Sequence, residues 1–150
     1  MRETRQIAVG YAGGHTLTPT YKQVCTGQTG HAEVVQLTFS PSKVSFEDLV
    51  DFFYRSHEPF TLNRQGNDVG TQYRSVIFYT SPEQKEIAAK VTERAQKAFG
   101  SGLKICTTLE PAGTFYPAED GHQDYLTKNP HGYECATHFG MAPVVEMMPP

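Results

Sequence analysis

Glu33 is the residue whose position in the sequence most favours chemistry. It lies in the run Ala32–Phe39, where apolar and β-branched residues alternate with polar ones as they do in a β-strand. On this pattern Glu33 shares a face with Val35, Leu37 and Phe39, so its carboxyl group is expected to be desolvated. Burial raises the pKa of a carboxyl group and suits it to general-acid catalysis. The alternative is a glutamate on an edge strand that points to solvent.

A second candidate group is Asp68 with Tyr73 and Arg74. These residues follow or belong to a loop rich in Gly, Asn and Asp, at residues 63–71, that leads into a predicted strand. Such loops commonly present side chains to a site. The simpler interpretation is an ordinary turn that carries a surface aspartate, and without further support it is preferred.

A third group contains two carboxylates and an imidazole within one helical turn. Its members are Tyr116, Glu119, Asp120, His122 and Gln123. The carboxylates and the imidazole could bind a metal ion, or the acids could cap a helix N-terminus, where they interact favourably with the helix dipole. Capping is the preferred interpretation.

Three cysteines are too few, and odd in number, for a disulfide scaffold, and they indicate a reducing compartment. Cys106 lies in an apolar run and is expected to be an inert core residue. Cys25 is expected to be structural or weakly exposed, whereas Cys135, in an irregular tail, is expected to be exposed. Cys135 and His138 have the spacing of half a zinc site, but no second pair completes it, so we predict no bound metal.

Periodicity and turn signals predict alternating strands and helices. The predicted strands are residues 6–11, 32–39, 73–79 and 103–109, and the predicted helices are residues 19–25, 46–57, 82–99 and 118–128. Ser45 and Ser81 have the spacing of helix caps. These elements predict one domain, residues 1–150, with an α/β (α+β) two-layer sandwich on a mixed sheet and an irregular tail from 139 to 150.

The longest predicted helix has the clearest boundaries. Ser81 caps it, Pro82 occupies its first position, and Gly100 follows its last turn. Its spacing predicts that four residues face the core. These are Ile87, Val91, Ala95 and Ala98.

Composition excludes several classes of protein. Lys and Arg number 13 and Asp and Glu number 16, so the formal net charge is −3, which argues against a nucleic-acid platform. No apolar stretch is long enough to cross a bilayer. The first residues carry charge without a following apolar segment, so they are not a secretory signal.

Blocks of sequence resemble class A peptide-methionine sulfoxide reductases, in family order and over about residues 9–138. The blocks are Gly10–Gly14, Val24–Val35, Phe52–Pro59, Asn63–Ser75, Phe115–Leu126 and Lys128–Tyr133. The run from Gly132 to His138 looks most like fungal members. The family reduces the S epimer of methionine sulfoxide, free or in proteins, and one enzyme class serves each epimer.

The resemblance implies a redox cycle without a bound cofactor. In the family a thiolate attacks the sulfoxide sulfur and becomes a sulfenic acid, a second cysteine condenses with it to a disulfide, and thioredoxin reduces that disulfide. It implies an oxidoreductase of protein repair and the oxidative stress response, which we expect to be monomeric and cytoplasmic. A mitochondrial location is the alternative if a segment precedes Met1.

The resemblance also assigns roles to residues. Glu33 would protonate the sulfoxide oxygen, and Tyr11 and Tyr73 would hydrogen-bond that oxygen or a water beside it. Asp68 and His122 would belong to the surrounding polar site. A buried carboxyl group that stays protonated is the donor that a leaving sulfoxide oxygen needs.

Cys135 follows Gly132-Tyr133, where the family commonly carries its resolving cysteine. The chain departs from the family at Gly121, where a tyrosine is usual, after Phe139, and at its start. The family's Gly-Cys-Phe-Trp-Gly motif, with its nucleophile and methyl pocket, precedes the first matching block, and Met1–Ile7 does not supply it.

We therefore expect this chain to lack the family's first strand and helix and to show little or no turnover. The alternative function is a non-catalytic module that binds methionine sulfoxide or a protein. Turnover that is abolished by Cys25→Ser would instead make Cys25 the nucleophile.

Overall fold

The computed structural model describes residues 7–123 and 145–148. Its strands are β1 (Ile7–Ala12), β2 (Ala32–Thr38), β3 (Arg64–Gln65), β4 (Asp68–Val69), β5 (Val76–Tyr79), β6 (Thr108–Pro111), β7 (Tyr116–Pro117) and β8 (Val145–Met148). Its α-helices are α1 (Tyr21–Cys25), α2 (Phe46–Ser56) and α3 (Pro82–Phe99), and short 3-10 helices span Thr71–Tyr73 and Asp120–His122. None of the helices in these two ranges is both long and apolar enough to cross a membrane.

The strands form a mixed sheet, which confirms the predicted fold class. Four strands are hydrogen-bonded in the order β7-β1-β2-β8, in which β1 is antiparallel to β2 and β8 is parallel to β2. Strands β5 and β6 form a separate parallel pair. This pair lies next to the four-stranded sheet, where β5 packs against β8. Strand β2 is therefore covered on both sides.

Helices α2 and α3 cover one face of this sheet. Phe53 and Val50 of α2 and Val91 of α3 are buried against Ile77 of β5. On the opposite face, Val34 of β2 packs in a second cluster with Val76 and Phe78. Glu33, one position before Val34, points to the face opposite to Val34 because side chains alternate along a strand.

Side-chain caps set the helix starts that the sequence predicts. The Ser81 hydroxyl accepts a hydrogen bond from the Gln84 backbone N–H at 3.2 Å, and the Ser45 hydroxyl accepts one from Asp48 at 3.0 Å. The Gln84 side chain accepts from the backbone N–H of Thr80 at 2.7 Å, one residue before the cap. A cap of this kind contributes about 1 kcal/mol.

The boundaries of two predicted strands were wrong. Residues 103–107 are irregular and β6 begins only at Thr108, because the Gln96 side chain binds the backbone of Leu103 and Ile105 and occupies the groups that a strand would pair. The predicted strand from Tyr73 begins at Val76, since Tyr73 ends a 3-10 helix.

Two predictions for helices were also wrong. The predicted helix at 118–128 is a single 3-10 turn that gives way at Gln123 to extended backbone, and the positions after 123 lie outside the described residues. Ala98 is exposed on α3, because the core stripe of that helix runs through Ala88 and Val91.

Cys106 is half-buried and lies before β6, so its expected place in an apolar core strand was also wrong. Its backbone N–H donates to the Pro59 carbonyl at 2.6 Å, and its thiol donates to the Phe60 carbonyl at 3.5 Å. These bonds fix the loop that follows α2.

Candidate active site

Glu33 lies at the start of a central strand and is buried. Its side chain is 5% exposed, and Tyr11 of β1 faces it across the sheet. Burial, and next the negative charge of Asp68, raise the pKa of Glu33 to about 8. Glu33 is thus a largely protonated acid at neutral pH, with its proton available to a ligand.

Tyr11 forms the inner wall of the site. The side chain is fully buried, and its hydroxyl donates a hydrogen bond to the Glu119 carboxylate at 3.1 Å. Burial, the Glu119 charge and this bond all raise the pKa of Tyr11. Its predicted contact with a sulfoxide oxygen stays a prediction, because the hydroxyl in this structure is turned to Glu119.

Glu119 also holds the start of α1. Its carboxylate accepts a hydrogen bond from the backbone N–H of Tyr21, the first residue of that helix, at 2.8 Å. Burial raises the pKa of Glu119, but the bonds from Tyr21 and Tyr11 outweigh it and lower that pKa overall. Glu119 thus accepts a hydrogen bond at the N-terminus of another helix, as the capping interpretation expected of these acids, and forms no side-chain cap on its own 3-10 turn.

Tyr21 is a site residue that the sequence interpretation missed. Its helix is fixed by a capping box, in which Thr20 and Gln23 exchange hydrogen bonds of 3.2 and 2.9 Å. Hydrogen bonding with Cys25, then burial, then the charges of Cys25, Glu33 and Asp68 raise the pKa of Tyr21 to about 12. Tyr21 is 37% exposed, so part of this residue reaches solvent.

Asp68 and Tyr73 approach Glu33 from another part of the chain. A hairpin of β3 and β4 carries Asp68, and the 3-10 helix after it carries Tyr73 and packs against β2. Burial and the charges of Glu33 and Asp68 raise the pKa of Tyr73. Gly70 joins the two elements with a φ of 152°, where an added Cβ would lie 2.2 Å from the Gln72 side chain, so only glycine fits.

The turn after α1 is tied to the same 3-10 helix. The Thr71 hydroxyl donates to the Gly27 carbonyl at 3.5 Å, two residues after Cys25. Cys25 is exposed and lies one helical turn after Tyr21, on the same side of α1. Cys25 was expected to be structural or weakly exposed, and the expectation of weak exposure is wrong.

His122 lies at the outer side of Tyr21. The two rings are 4.6 Å apart, and the His122 Nε2 atom is 3.8 Å from the Glu119 carboxylate. Among the described residues no group of three or more His, Cys, Asp or Glu side chains could hold a metal ion. Glu119 and His122 of the third sequence group thus contact Tyr21, whereas Gln123 bonds to the backbone of Val9.

Arg74, the remaining member of the second sequence group, is a supporting residue. Its guanidinium donates to the Thr71 carbonyl at 3.0 Å, and burial lowers its pKa. The structure therefore brings together Glu33, Asp68, Tyr73 and His122 and adds Tyr21. Cys135 lies outside the described residues.

Comparison with known proteins agrees with this arrangement. The family model described as peptide methionine sulfoxide reductase matches residues 1–146. The chain belongs to the peptide methionine sulfoxide reductase family. This family is one of oxidoreductases, and the resemblance stated from the sequence is confirmed.

Relatives of the reductase family match most of the chain. The peptide methionine sulfoxide reductase MsrA of Nautilia profundicola is 51% identical over 142 residues, which cover 95% of this chain and 79% of that protein. The MsrA of Methanothermobacter thermautotrophicus is 57% identical over 122 residues, 81% and 72% of the two chains. A fungal relative from Schizosaccharomyces pombe is 50% identical over 134 residues, 89% and 79% of the two chains.

Solved structures show the same fold. Reduced Mxr1 from Saccharomyces cerevisiae superposes with a TM-score of 0.82 at 45% identity, over 88% of this chain and 75% of that one. Methionine sulfoxide reductase A of Corynebacterium diphtheriae gives a TM-score of 0.80 at 42% identity, over 85% and 65%.

Proposed function

We propose that this chain binds methionine sulfoxide, as the free amino acid or in proteins, and protonates its oxygen with Glu33. One observation carries the proposal: the carboxyl group of Glu33 is buried in a central strand beside Tyr11, and its pKa is raised to about 8. A sulfoxide oxygen is a weak base, so its departure as water needs a donor that still holds its proton at neutral pH.

Tyr21 and Tyr73 orient the oxygen in this proposal. Both hydroxyls lie near enough to Glu33 and Asp68 for those charges to raise their pKa values, so both stay protonated and can donate hydrogen bonds. Two roles are open to Tyr11. Its hydroxyl donates a hydrogen bond to the sulfoxide oxygen, as the family resemblance implies, or it positions the Glu119 carboxylate, which in turn holds the backbone of Tyr21. Burial, and next the charge of Asp68, keep Glu33 protonated, and His122 packs on the outer side of Tyr21.

The full activity proposed is that of a peptide-methionine (S)-S-oxide reductase. A cysteine is oxidised to a sulfenic acid as the sulfoxide becomes a thioether, Cys135 resolves it as a disulfide, and thioredoxin returns both thiols. The same proposal includes that the substrate is the S epimer, that the protein is a cytoplasmic monomer, and that it repairs proteins under oxidative stress.

A non-catalytic binding module is the second candidate. It requires only the buried acid Glu33 and the nearby hydroxyls of Tyr21 and Tyr73, and no attacking thiol. Both candidates predict sulfoxide binding at Glu33, but only the reductase predicts sustained turnover with thioredoxin.

Calorimetric titration with the S and R epimers of N-acetyl-methionine sulfoxide amide and with the unoxidised amide tests the binding step. We expect saturable binding of the S epimer and about tenfold weaker binding in Glu33→Gln, because the O–H of a carboxylic acid is a stronger hydrogen-bond donor than the amide N–H that replaces it. A Glu47→Gln variant, changed on the exposed side of α2, is the matched control. Equal binding by all three compounds, or no loss in Glu33→Gln, would refute the proposal.

A further inference from the structure

The turn that carries Glu119 is fixed to strand β1 by hydrogen bonds to the backbone of Val9. The Ala118 backbone N–H donates to the Val9 carbonyl at 2.9 Å. The Gln123 side chain accepts from the Val9 N–H at 3.1 Å and donates to the Val9 carbonyl at 2.8 Å. The same amide also donates to the Ala118 carbonyl at 3.1 Å, which closes the turn. Glu119 is therefore presented from a fixed support.

Helix α1 depends on contacts with this turn for its orientation. It has five residues, and a helix of this length is not stable alone. Val24 is buried and the other four residues of α1 are exposed, so its core packing rests on one side chain. The backbone N–H of Tyr21 donates to the Glu119 carboxylate at 2.8 Å, and the His122 ring lies 4.6 Å from the Tyr21 ring. The turn thus holds both the backbone and the ring of Tyr21.

Glu119 also connects Tyr21 to the acid of the site. Tyr11 and Glu33 are directly opposite each other in the antiparallel pair of β1 and β2, so their side chains are neighbours on one face of the sheet. The Tyr11 hydroxyl donates to the second oxygen of the Glu119 carboxylate at 3.1 Å. This carboxylate therefore joins the neighbour of Glu33 to the first residue of α1, and it sets the position of Tyr21 relative to the acid.

We propose that Glu119 is a positioning residue of this site, which holds Tyr21 in one place relative to Glu33 and thereby gives the site its preference for one epimer of the sulfoxide. This inference rests on the proposed function, in which Glu33 protonates the oxygen and Tyr21 orients it. The two epimers direct that oxygen differently when their carbon substituents are held alike, so two donors at fixed positions fit only one of them. A Tyr21 side chain that is free to move follows the oxygen of either epimer.

Calorimetric titration of variants at Glu119 with both epimers of N-acetyl-methionine sulfoxide amide tests this role. Glu119→Gln keeps the length of the side chain and an acceptor for the Tyr21 N–H, whereas Glu119→Asp keeps the charge on a shorter side chain. We expect the ratio of the two dissociation constants to fall about tenfold in Glu119→Ala and Glu119→Asp, the effect of one lost hydrogen bond, and to stay within about threefold of the unaltered chain in Glu119→Gln. Glu93→Gln, at an exposed ion pair on α3, is the matched control and should leave the ratio unchanged.

The ratio separates positioning from a mere loss of folded protein. Unfolded chains lower the number of sites that the titration counts, but they leave the dissociation constants of the folded sites unchanged. An unchanged ratio in Glu119→Ala and Glu119→Asp overturns the role of Glu119, and so does an equal fall in Glu119→Gln, since charge rather than reach would then decide it. If Glu119→Ala does not fold, the comparison of Glu119→Asp with Glu119→Gln decides the question by itself.

The unaltered chain separates this inference from the proposed function. Equal affinity for both epimers overturns the inference but leaves sulfoxide binding standing. Absence of binding by a sample with a cooperative unfolding transition overturns both.

Discussion

The carboxylate of Glu119 accepts a hydrogen bond from the backbone N–H of Tyr21 at 2.8 Å, although 98 residues separate the two in the chain. The other oxygen of the same carboxylate accepts from the Tyr11 hydroxyl at 3.1 Å. One side chain thus fixes the first turn of α1 to the sheet, and the orientation of Tyr21 and Cys25 depends on it.

Replacing Glu119 by Ala should loosen this attachment. The first turn of α1 loses an acceptor at its N-terminus and the buried Tyr11 loses one hydrogen bond, so we expect the free energy of unfolding to fall by about 1–3 kcal/mol. Urea denaturation measures this change. Glu93→Ala, which removes only an exposed ion pair on α3, is the control and should change stability by about 0.5 kcal/mol or less. Equal effects of the two substitutions would contradict the role of Glu119.

Glu33 should make stability depend on pH. Its pKa is about 8 in the folded chain and 4.5 as the ordinary value, so the folded state holds a proton that the unfolded state has lost between these values. The stabilisation that the protonated Glu33 gives to the folded state is fully present below pH 4.5 and is lost as the pH rises through 8. Between pH 5 and 9 the chain should therefore lose stability relative to Glu33→Gln by on the order of 4 kcal/mol. Parallel curves of unfolding free energy against pH for the two proteins would contradict this.

His57 should act in the opposite direction. Burial lowers its pKa from 6.5 to about 4, and its neutral ring donates through Nδ1 to the Phe53 carbonyl at 2.6 Å and contacts the Ser75 hydroxyl at 2.7 Å. The stabilisation that the neutral His57 ring gives to the folded state is present above pH 6.5 and is lost as the pH falls through 4. We expect on the order of 3 kcal/mol of this acid sensitivity to disappear in His57→Gln.

Denaturation curves at a series of pH values measure the contribution of His57. The exposed His15 supplies the matched control, because His15→Gln should not change how the unfolding free energy falls at acid pH. If His57→Gln loses unfolding free energy at acid pH as the unaltered chain does, the buried imidazole is not the source of that loss.

Phenylalanine substitutions should separate the roles of Tyr11 and Tyr21. Tyr21→Phe is expected to weaken binding of methionine S-sulfoxide about tenfold with little loss of stability, because it removes the hydroxyl of a partly exposed residue. Tyr11→Phe is expected to lower stability by about 1 kcal/mol and to change binding less, because its hydroxyl is buried against Glu119. Calorimetric titration and thermal unfolding of both variants give the comparison. The reverse order of the two binding effects would assign the oxygen contact to Tyr11.

The sequence allowed the burial of Glu33 to be predicted because strand alternation is local. The caps at Ser45 and Ser81 could be predicted for the same reason, since donor and acceptor lie three residues apart. Tyr21 could not be found in this way: its place in the site depends on Glu119, and no periodicity links residues so far apart.

The wrong predictions have physical causes of the same kind. Glu119, Asp120 and His122 have helical spacing, but the structure directs the Glu119 carboxylate to another helix and leaves only a 3-10 turn. The apolar run before Thr108 resembles a strand, but the Gln96 side chain occupies its backbone groups. In both cases a long-range side-chain contact overrides local propensity.

The parallel pairing of β2 with β8 has a consequence for the order in which this protein can fold. Residues 35–38 pair with residues 145–148, so β2 gains this neighbour only after residue 148 has been synthesised. Contacts between such distant parts of a chain raise the contact order and slow folding. During translation the antiparallel pair of β1 and β2 therefore presents the edge of β2 unpaired until that point, which makes it a segment where chaperones or early misassembly would act.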